Sequence, residues 1–147
     1  MQGIKRKVVY IGLFELIAIA VTTVGFAWFS GQGAERAGVV AVLTSAVAVA
    51  WNLAYNTAFE KWESRQTVRG RSFKRRMAHA LGFEGGLTVI LVPLLAWLLQ
   101  VSLWQALVLD FGLIVFFLAY AFVFNLAFDH VFGLPASALP VHVESAT

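Results

Sequence analysis

The chain contains no cysteine and few charged residues, and both shortages exclude classes of function. Without cysteine there can be no disulfide, thiolate nucleophile or cysteine-bound metal. Charged residues make up 13% of the sequence and hydrophobic residues 60%, which is too apolar for an ordinary soluble domain. We also find no nucleophile–base pair, phosphate-binding loop or metal-ligand spacing. An enzyme is therefore the least favoured class, and the sequence predicts no cofactor and no metal site.

The apolar residues fall into four runs, each long enough to cross a lipid bilayer. A helix of about 20 residues spans a hydrocarbon core of ~30 Å. We predict an all-α membrane protein, a four-transmembrane-helix bundle that forms a single domain over residues 1–147. The predicted spans are 8–29, 39–59, 78–99 and 103–128.

The net charge of +3 is unevenly distributed along the chain. Basic residues precede the first span and fill the connection between the second and third, whereas the other two connections hold only Arg36. The positive-inside rule then places both termini and residues 61–77 in the cytoplasm. Anionic lipid headgroups are sufficient partners for this basic connection, so nucleic-acid binding is not expected.

The sequence repeats itself at an offset of 69 residues. Phe14-Glu15 recurs as Phe83-Glu84, and the segment 55–60 recurs as 124–129, which pairs Glu60 with Asp129. Two hairpins of two spans each make this a parallel repeat, with copies at about 5–62 and 74–132. Asp110 has no acidic counterpart, because residue 41 is alanine.

Carboxylates inside membrane spans are costly and therefore point to function. The candidates for proton and substrate coupling are Glu15, Glu84, Asp129, Glu60 and Asp110. Alternatives stay open for each: Glu15 and Glu84 as hydrogen-bonded structural acids, Glu60 and Asp129 as ordinary interfacial acids, and Asp110 as an outer gate or a solvated helix end.

Three parallel ridges at i,i+4 spacing run along the second span. Small residues at 46, 50, 54 and 58 suit close helix packing, and aromatic and polar ridges flank them. Aromatic faces and amide groups can hold a cation, although both more often pack between helices. The candidate substrate-binding residues are Trp51, Asn52, Tyr55, Asn56, Asn125 and Tyr120.

These motifs together resemble the proteobacterial antimicrobial compound efflux family, whose members are built from two bacterial transmembrane pair domains. The third-span motif of that family is matched by Arg76, His79, Ala80, Phe83, Glu84, Gly85 and Gly86. The second-span motif is matched by Trp51, Asn52, Tyr55, Asn56, Phe59 and Glu60, and the fourth-span motif by Phe128, Asp129 and His130. The first-span motif is matched by Phe14 and Glu15, but Lys7 and Tyr10 stand at its arginine and histidine positions.

The resemblance implies a proton-coupled antiporter of the bacterial inner membrane that exports hydrophobic cationic biocides such as chlorhexidine, or short diamines. It assigns the principal proton- and substrate-linked acid to Glu15. The partners expected are protons, cationic amphipathic molecules or diamines, and the lipid bilayer; a homodimer stays open. The alternative function is a non-transport membrane protein that binds a partner or assists assembly.

Overall fold

The computed structural model describes residues 3–68 and 70–134, which form four long helices. The helices are α1 (Gly3–Ser30), α2 (Ala34–Ser64), α3 (Phe73–Leu99) and α4 (Leu103–Phe132). Each contains a stretch that is long and apolar enough to cross a membrane. The predicted four-helix membrane fold is therefore confirmed. The helices also extend beyond the predicted spans, so that the predicted connection 61–77 shrinks to residues 65–72.

The connections define two different ends of the bundle. Residues 31–33 and 100–102 join the helices of each hairpin at one end, which we call the short-loop end. The start of α1, the end of α4 and the connection between α2 and α3 lie at the other end, which we call the basic end because most of the arginines and lysines are there. Serine caps begin two helices: the Ser72 hydroxyl accepts from the Arg75 backbone N–H, and Ser102 forms a capping box with Gln105.

The main cluster of buried apolar side chains lies in the half of the bundle near the short-loop end. Its fully buried members include Phe26, Val40, Leu95 and Leu99, which come from the first three helices. Ala106 adds the fourth helix to the same cluster. Side chains therefore fill the space between the helices at this end, and the remaining space lies nearer the middle of the bundle.

The two hairpins meet along two seams, α1 against α4 and α2 against α3, and equivalent residues make equivalent contacts in each. The Trp51 indole Nε1 donates to the Phe83 carbonyl oxygen over 3.0 Å. At the positions 69 residues away, the Tyr120 hydroxyl donates to the Phe14 carbonyl oxygen over 2.8 Å. This agreement shows a pseudo-two-fold relation between the halves at the level of Phe14 and Phe83.

A second pair of contacts repeats the pattern one helical turn closer to the basic end. The His79 Nε2 lies 2.8 Å from the Asn56 Oδ1, and the Tyr10 hydroxyl donates to the Asn125 Oδ1 over 2.7 Å. Tyr10, which stands where the family motif has histidine, therefore makes the contact that His79 makes in the other seam. The departure from the motif changes the titratable group but keeps the hydrogen bond.

The close approach of α2 and α3 comes from glycine and not from the small-residue ridge. Residues 46, 50, 54 and 58 are exposed on the outside of the bundle, so the prediction that this ridge packs against a helix is wrong within one chain. Trp51 instead lies directly against Gly86, and Tyr55 against Gly82, with no room for a Cβ at either glycine. The space around Gly85 is open, so of these two neighbouring glycines only Gly86 contacts α2 closely.

Candidate functional site: a carboxylate-lined cavity

A cavity of about 490 Å³ lies between the four helices, on the basic-end side of the packed core. Its walls are mostly apolar, with leucine, isoleucine, alanine and phenylalanine side chains from every helix. The acids Glu15, Glu84 and Asp110 also line it. Acids that lie far apart in sequence are therefore brought to one cavity.

Two of these acids each accept a hydrogen bond from a hydroxyl on the other helix of the same hairpin. The Ser45 Oγ of α2 donates to the Glu15 Oε2 over 2.6 Å. The Thr88 Oγ1 of α3 donates to the Asp110 Oδ2 over 2.7 Å. Asp110 is only 3% exposed, which excludes the alternative that it is a solvated helix end.

The two hydroxyl–carboxylate pairs are not equivalent under the repeat. In the first hairpin the acid is on the first helix, whereas in the second it is on the second helix. The residues at the positions corresponding to Ser45, Asp110 and Thr88 are Ile114, Ala41 and Ile19, which are all apolar lining residues. The repeat therefore produces similar helices but places its polar pairs at different points of the cavity.

The pairs also differ in depth. Glu84 lies at the level of Glu15 by the pseudo-two-fold relation, and Thr88 is four residues further along α3, toward the short-loop end. Four residues make about one helical turn, or ~5–6 Å. The Asp110–Thr88 pair is therefore about one turn nearer the short-loop end than the Glu15–Ser45 pair.

No basic residue lines the cavity among the residues that the structure describes. The Glu84 carboxylate accepts no hydrogen bond from a described side chain, and Glu15 and Asp110 receive only neutral hydroxyl donors. Burial without a counter-charge disfavours the ionised form of a carboxylate. A positively charged ligand that enters the cavity would supply the counter-charge that these carboxylates lack.

The acids are spaced apart and do not surround a single point. Within residues 3–68 and 70–134, no three acidic or histidine side chains come close enough together to hold one metal ion. A small spherical ion could thus contact only part of this set. An extended organic cation matches the spacing and the apolar walls better.

Asp129 lies outside the cavity, at the basic end of the α1–α4 seam. The Arg6 guanidinium donates to its Oδ1 over 2.6 Å and to the Gly133 carbonyl oxygen, also over 2.6 Å. Arg6 also lies over the Phe128 ring, 4.9 Å from the centroid. Sequence reasoning missed Arg6, although its recurrence as Arg75 at the repeat offset was a usable signal.

Glu60 also lies outside the cavity, in a cleft at the basic end. This cleft is lined by Glu63, Arg71 and Arg75 as well. Arg71 donates to both carboxylate oxygens of Glu63 over 3.1 and 3.2 Å, and this hydrogen bonding raises the pKa of Arg71 above its ordinary value. Part of the basic connection is thus neutralised within the chain.

Of the predicted substrate-binding residues, Asn52 lines the cavity. The other five use their polar groups between helices: Trp51, Tyr55 and Asn56 in the α2–α3 seam, and Tyr120 and Asn125 in the α1–α4 seam. Their hydrogen bonds hold the hairpins together around the cavity. In this conformation these five residues join the helices that enclose the cavity, but they do not line it.

The comparisons with known proteins agree with this architecture. A sequence profile of the family described as chlorhexidine efflux transporter matches the chain twice, at residues 2–65 and 71–134. The two matches are offset by the same 69 residues as the repeat.

Full-length relatives are similar as well. The chain is 34% identical over 127 residues to a short-chain diamines transporter of Acinetobacter baylyi, covering 86% of this chain and 89% of the relative. It is 38% identical over 126 residues to a protein of the same description from Vibrio parahaemolyticus, with the same coverage. A third, from Acinetobacter baumannii, is 32% identical over 127 residues, which are 86% of this chain and 88% of the relative. No solved structure matches the chain.

Proposed function

The chain belongs to the chlorhexidine efflux transporter family, and from this premise we propose that it is a proton-coupled antiporter that exports organic cations. The observation that carries the proposal is the cavity, in which three carboxylates face apolar walls and no basic residue balances them. Such a site favours either protons or a positively charged, partly apolar ligand. The same carboxylates cannot hold both, which is the physical requirement for exchange.

The transport cycle follows from this competition. With the cavity open to the cytoplasm, Glu15 loses its proton and binds the cation, and the Ser45 hydroxyl keeps the carboxylate oriented. After the protein reopens on the other side, protons from outside displace the cation. The protonated protein then returns to the conformation that is open to the cytoplasm. This step costs less free energy with a neutral acid in the low-dielectric interior than with an unpaired carboxylate.

The substrate class follows from the cavity walls and from the relatives. The family is described by chlorhexidine efflux, and the similar proteins from three bacteria are described as short-chain diamines transporters. Both kinds of molecule combine positive charge with apolar carbon. We assign this chain to cations of that kind, with Glu15 as the principal coupling acid, Glu84 and Asp110 as further acids of the cavity, and Asn52 as a wall contact.

We assign the protein to the bacterial inner membrane, with both termini and the connection at residues 65–72 on the cytoplasmic side. The asymmetry of basic residues supports this orientation. Single-cysteine labelling tests it without background, because the chain has no cysteine. Thr67→Cys should be protected from a membrane-impermeant maleimide in intact cells, and Gly33→Cys should react. The reverse pattern would contradict the orientation.

Flux in liposomes tests the proposed function. The wild type should move a fluorescent organic cation against its gradient when a proton gradient is imposed. Glu15→Gln has nearly the shape of the protonated acid, so it should fold normally and abolish this flux. Glu15→Asp keeps a titrating group and should retain part of it. Glu35→Gln is the matched control, because Glu35 is an exposed acid in the first turn of α2, away from the cavity.

The outcomes are exclusive. Loss of flux in Glu15→Gln with normal flux in Glu35→Gln supports coupling through Glu15. Gradient-driven export by Glu15→Gln would remove Glu15 from that role. A wild type that folds and binds a partner protein, but moves no cation, would favour the alternative of a partner-binding membrane protein.

A further inference from the structure

The cavity contains two separate carboxylate sites whose arrangement is more specific than a general attraction for cations. Each site consists of an acid and a hydroxyl that orients it, Glu15 with Ser45 and Asp110 with Thr88. They belong to opposite hairpins and differ in depth by about one helical turn, ~5–6 Å. An elongated ligand can therefore contact both sites, with one end at each.

The walls of the cavity that holds both sites are mostly apolar. Leu87, Leu113 and Ile114 are among the side chains that line this cavity. These groups suit methylene carbons and offer no hydrogen bond to a polar linker. Each site has its own acid and its own hydroxyl, so an ammonium bound at one site leaves the polar pair of the other available.

We infer that the cavity binds a linear dication lengthwise, with one ammonium at Glu15–Ser45 and the other at Asp110–Thr88. The inference rests on the proposed function and adds to it a second charge site and a positioning residue, Thr88. Asp110 is the specificity-determining group, because a monocation can be held at Glu15 alone. Thr88 acts through Asp110, since its hydroxyl donates to the Oδ2 atom and fixes the direction of the carboxylate.

The inference predicts how many protons the protein releases when an amine binds. The charged and titratable groups around the cavity are Glu15 on α1, Glu84 on α3 and Asp110 on α4, while α2 presents hydroxyl and amide groups. At a pH at which both acids hold a proton, a diamine that pairs with Glu15 and Asp110 displaces a proton from each. A monoamine of the same length displaces the proton of one acid only. Binding of the diamine should therefore release about two protons and binding of the monoamine about one.

The experiment compares cadaverine with pentylamine, which have the same carbon chain and differ by one ammonium. Affinity and proton release are measured on the purified full-length protein in detergent, in weakly buffered solution. The wild type should prefer cadaverine by roughly tenfold or more, as expected for one additional charge-assisted contact. Asp110→Asn should remove this preference and lower the proton release on cadaverine to about that of pentylamine. Its affinity for pentylamine should fall much less than its affinity for cadaverine, because Glu15 can still hold the single ammonium.

Thr88 is tested by a pair of variants. Thr88→Val keeps the shape of the side chain but removes the hydroxyl, and it should reduce the preference for cadaverine while pentylamine binding is unchanged. Thr88→Ser restores a hydroxyl and should restore the preference. A purely structural role would instead lower the affinity for both amines together, and Ser would then offer no selective rescue.

Several results would overturn the inference. An unchanged preference and proton release in Asp110→Asn would show that the second charge is not held there. Loss of the preference in Glu84→Gln but not in Asp110→Asn would move the second site to Glu84. If the wild type transports cations but binds both amines equally, the proposed function stands and this inference fails. If the wild type neither binds nor transports any cation, both fail.

Discussion

Replacing Gly86 by alanine tests the α2–α3 seam, with Gly85→Ala as its control. A Cβ at residue 86 would overlap the ring of Trp51, whose Nε1 is held by the Phe83 carbonyl oxygen. Trp51 cannot move aside without losing that hydrogen bond. A Cβ at residue 85 meets no atom within 4 Å. The two substitutions make the same chemical change one residue apart. The difference between their unfolding free energies therefore reports the contact between Trp51 and Gly86.

The magnitude follows from three terms. Overpacking typically costs about 1–3 kcal/mol, and the lost hydrogen bond adds about 0.6 kcal/mol in a membrane protein. Alanine recovers about 1 kcal/mol over glycine in a helix interior. Gly86→Ala should therefore destabilise the protein by roughly 0.5–2.5 kcal/mol, whereas Gly85→Ala should be neutral or stabilise it by up to ~1 kcal/mol.

Thermal unfolding in detergent measures both variants. Gly86→Ala should unfold at a lower temperature than the wild type, and Gly85→Ala at the same or a higher one. Adding Trp51→Tyr to Gly86→Ala should recover part of the loss, because tyrosine is smaller and already fills the equivalent place in the other seam as Tyr120. Equal unfolding temperatures for the two glycine variants would refute the account of the seam.

Two further predictions concern the α1–α4 seam. Arg6→Gln should destabilise the protein by about 1–2 kcal/mol in thermal unfolding, because it removes the guanidinium that donates to Asp129 and to the Gly133 carbonyl oxygen. The control is Lys7→Gln, which changes an exposed side chain and should alter stability by less than ~0.5 kcal/mol. Because α1 and α4 meet mainly through side chains and α2 and α3 approach more closely, we expect transport to require separation of α1 from α4. Cross-linking two cysteines across the α1–α4 seam with a short bifunctional thiol reagent should then block flux. The symmetry-equivalent cross-link across the α2–α3 seam should leave flux intact. The opposite result would assign the motion to the α2–α3 seam. The cysteine pairs are Tyr10→Cys with Phe128→Cys, and His79→Cys with Phe59→Cys.

The fold could be predicted because two features of the sequence, the apolar runs and the internal repeat, determine it directly. Four apolar runs of membrane-spanning length define the helices, and the offset of 69 residues defines the halves. The helix ends were less predictable at the basic end, where α2 and α3 continue through charged residues. Charge marks where a span leaves the apolar layer, whereas hydrogen bonding decides where the helix ends.

The cavity could be predicted only in part. A carboxylate in an apolar span is conspicuous, so Glu15, Glu84 and Asp110 stand out. The hydroxyls that orient two of them do not, because serine and threonine in helices commonly bond to their own backbone. Thr44 does so with the Val40 carbonyl oxygen, although it also lines the cavity.

The aromatic and amide ridges show the same limit. Trp51, Tyr55 and Tyr120 have the chemistry of a cation site, but their donors are used by backbone carbonyls across the seams. The sequence shows which face of a helix is polar. It does not show whether that face meets another helix or a cavity, since this depends on the crossing of helices that are distant in sequence.

The most direct test of the central claim is the pH dependence of cation binding to the wild type and to Glu15→Gln. The claim is that protons and cations compete for the carboxylates of one cavity. Affinity for a quaternary ammonium probe, measured from about pH 5 to about pH 9, should rise by about tenfold per pH unit while one proton is displaced, and then level off. Glu15→Gln should bind weakly, with much of this dependence lost. A wild-type affinity that does not change with pH would contradict the account.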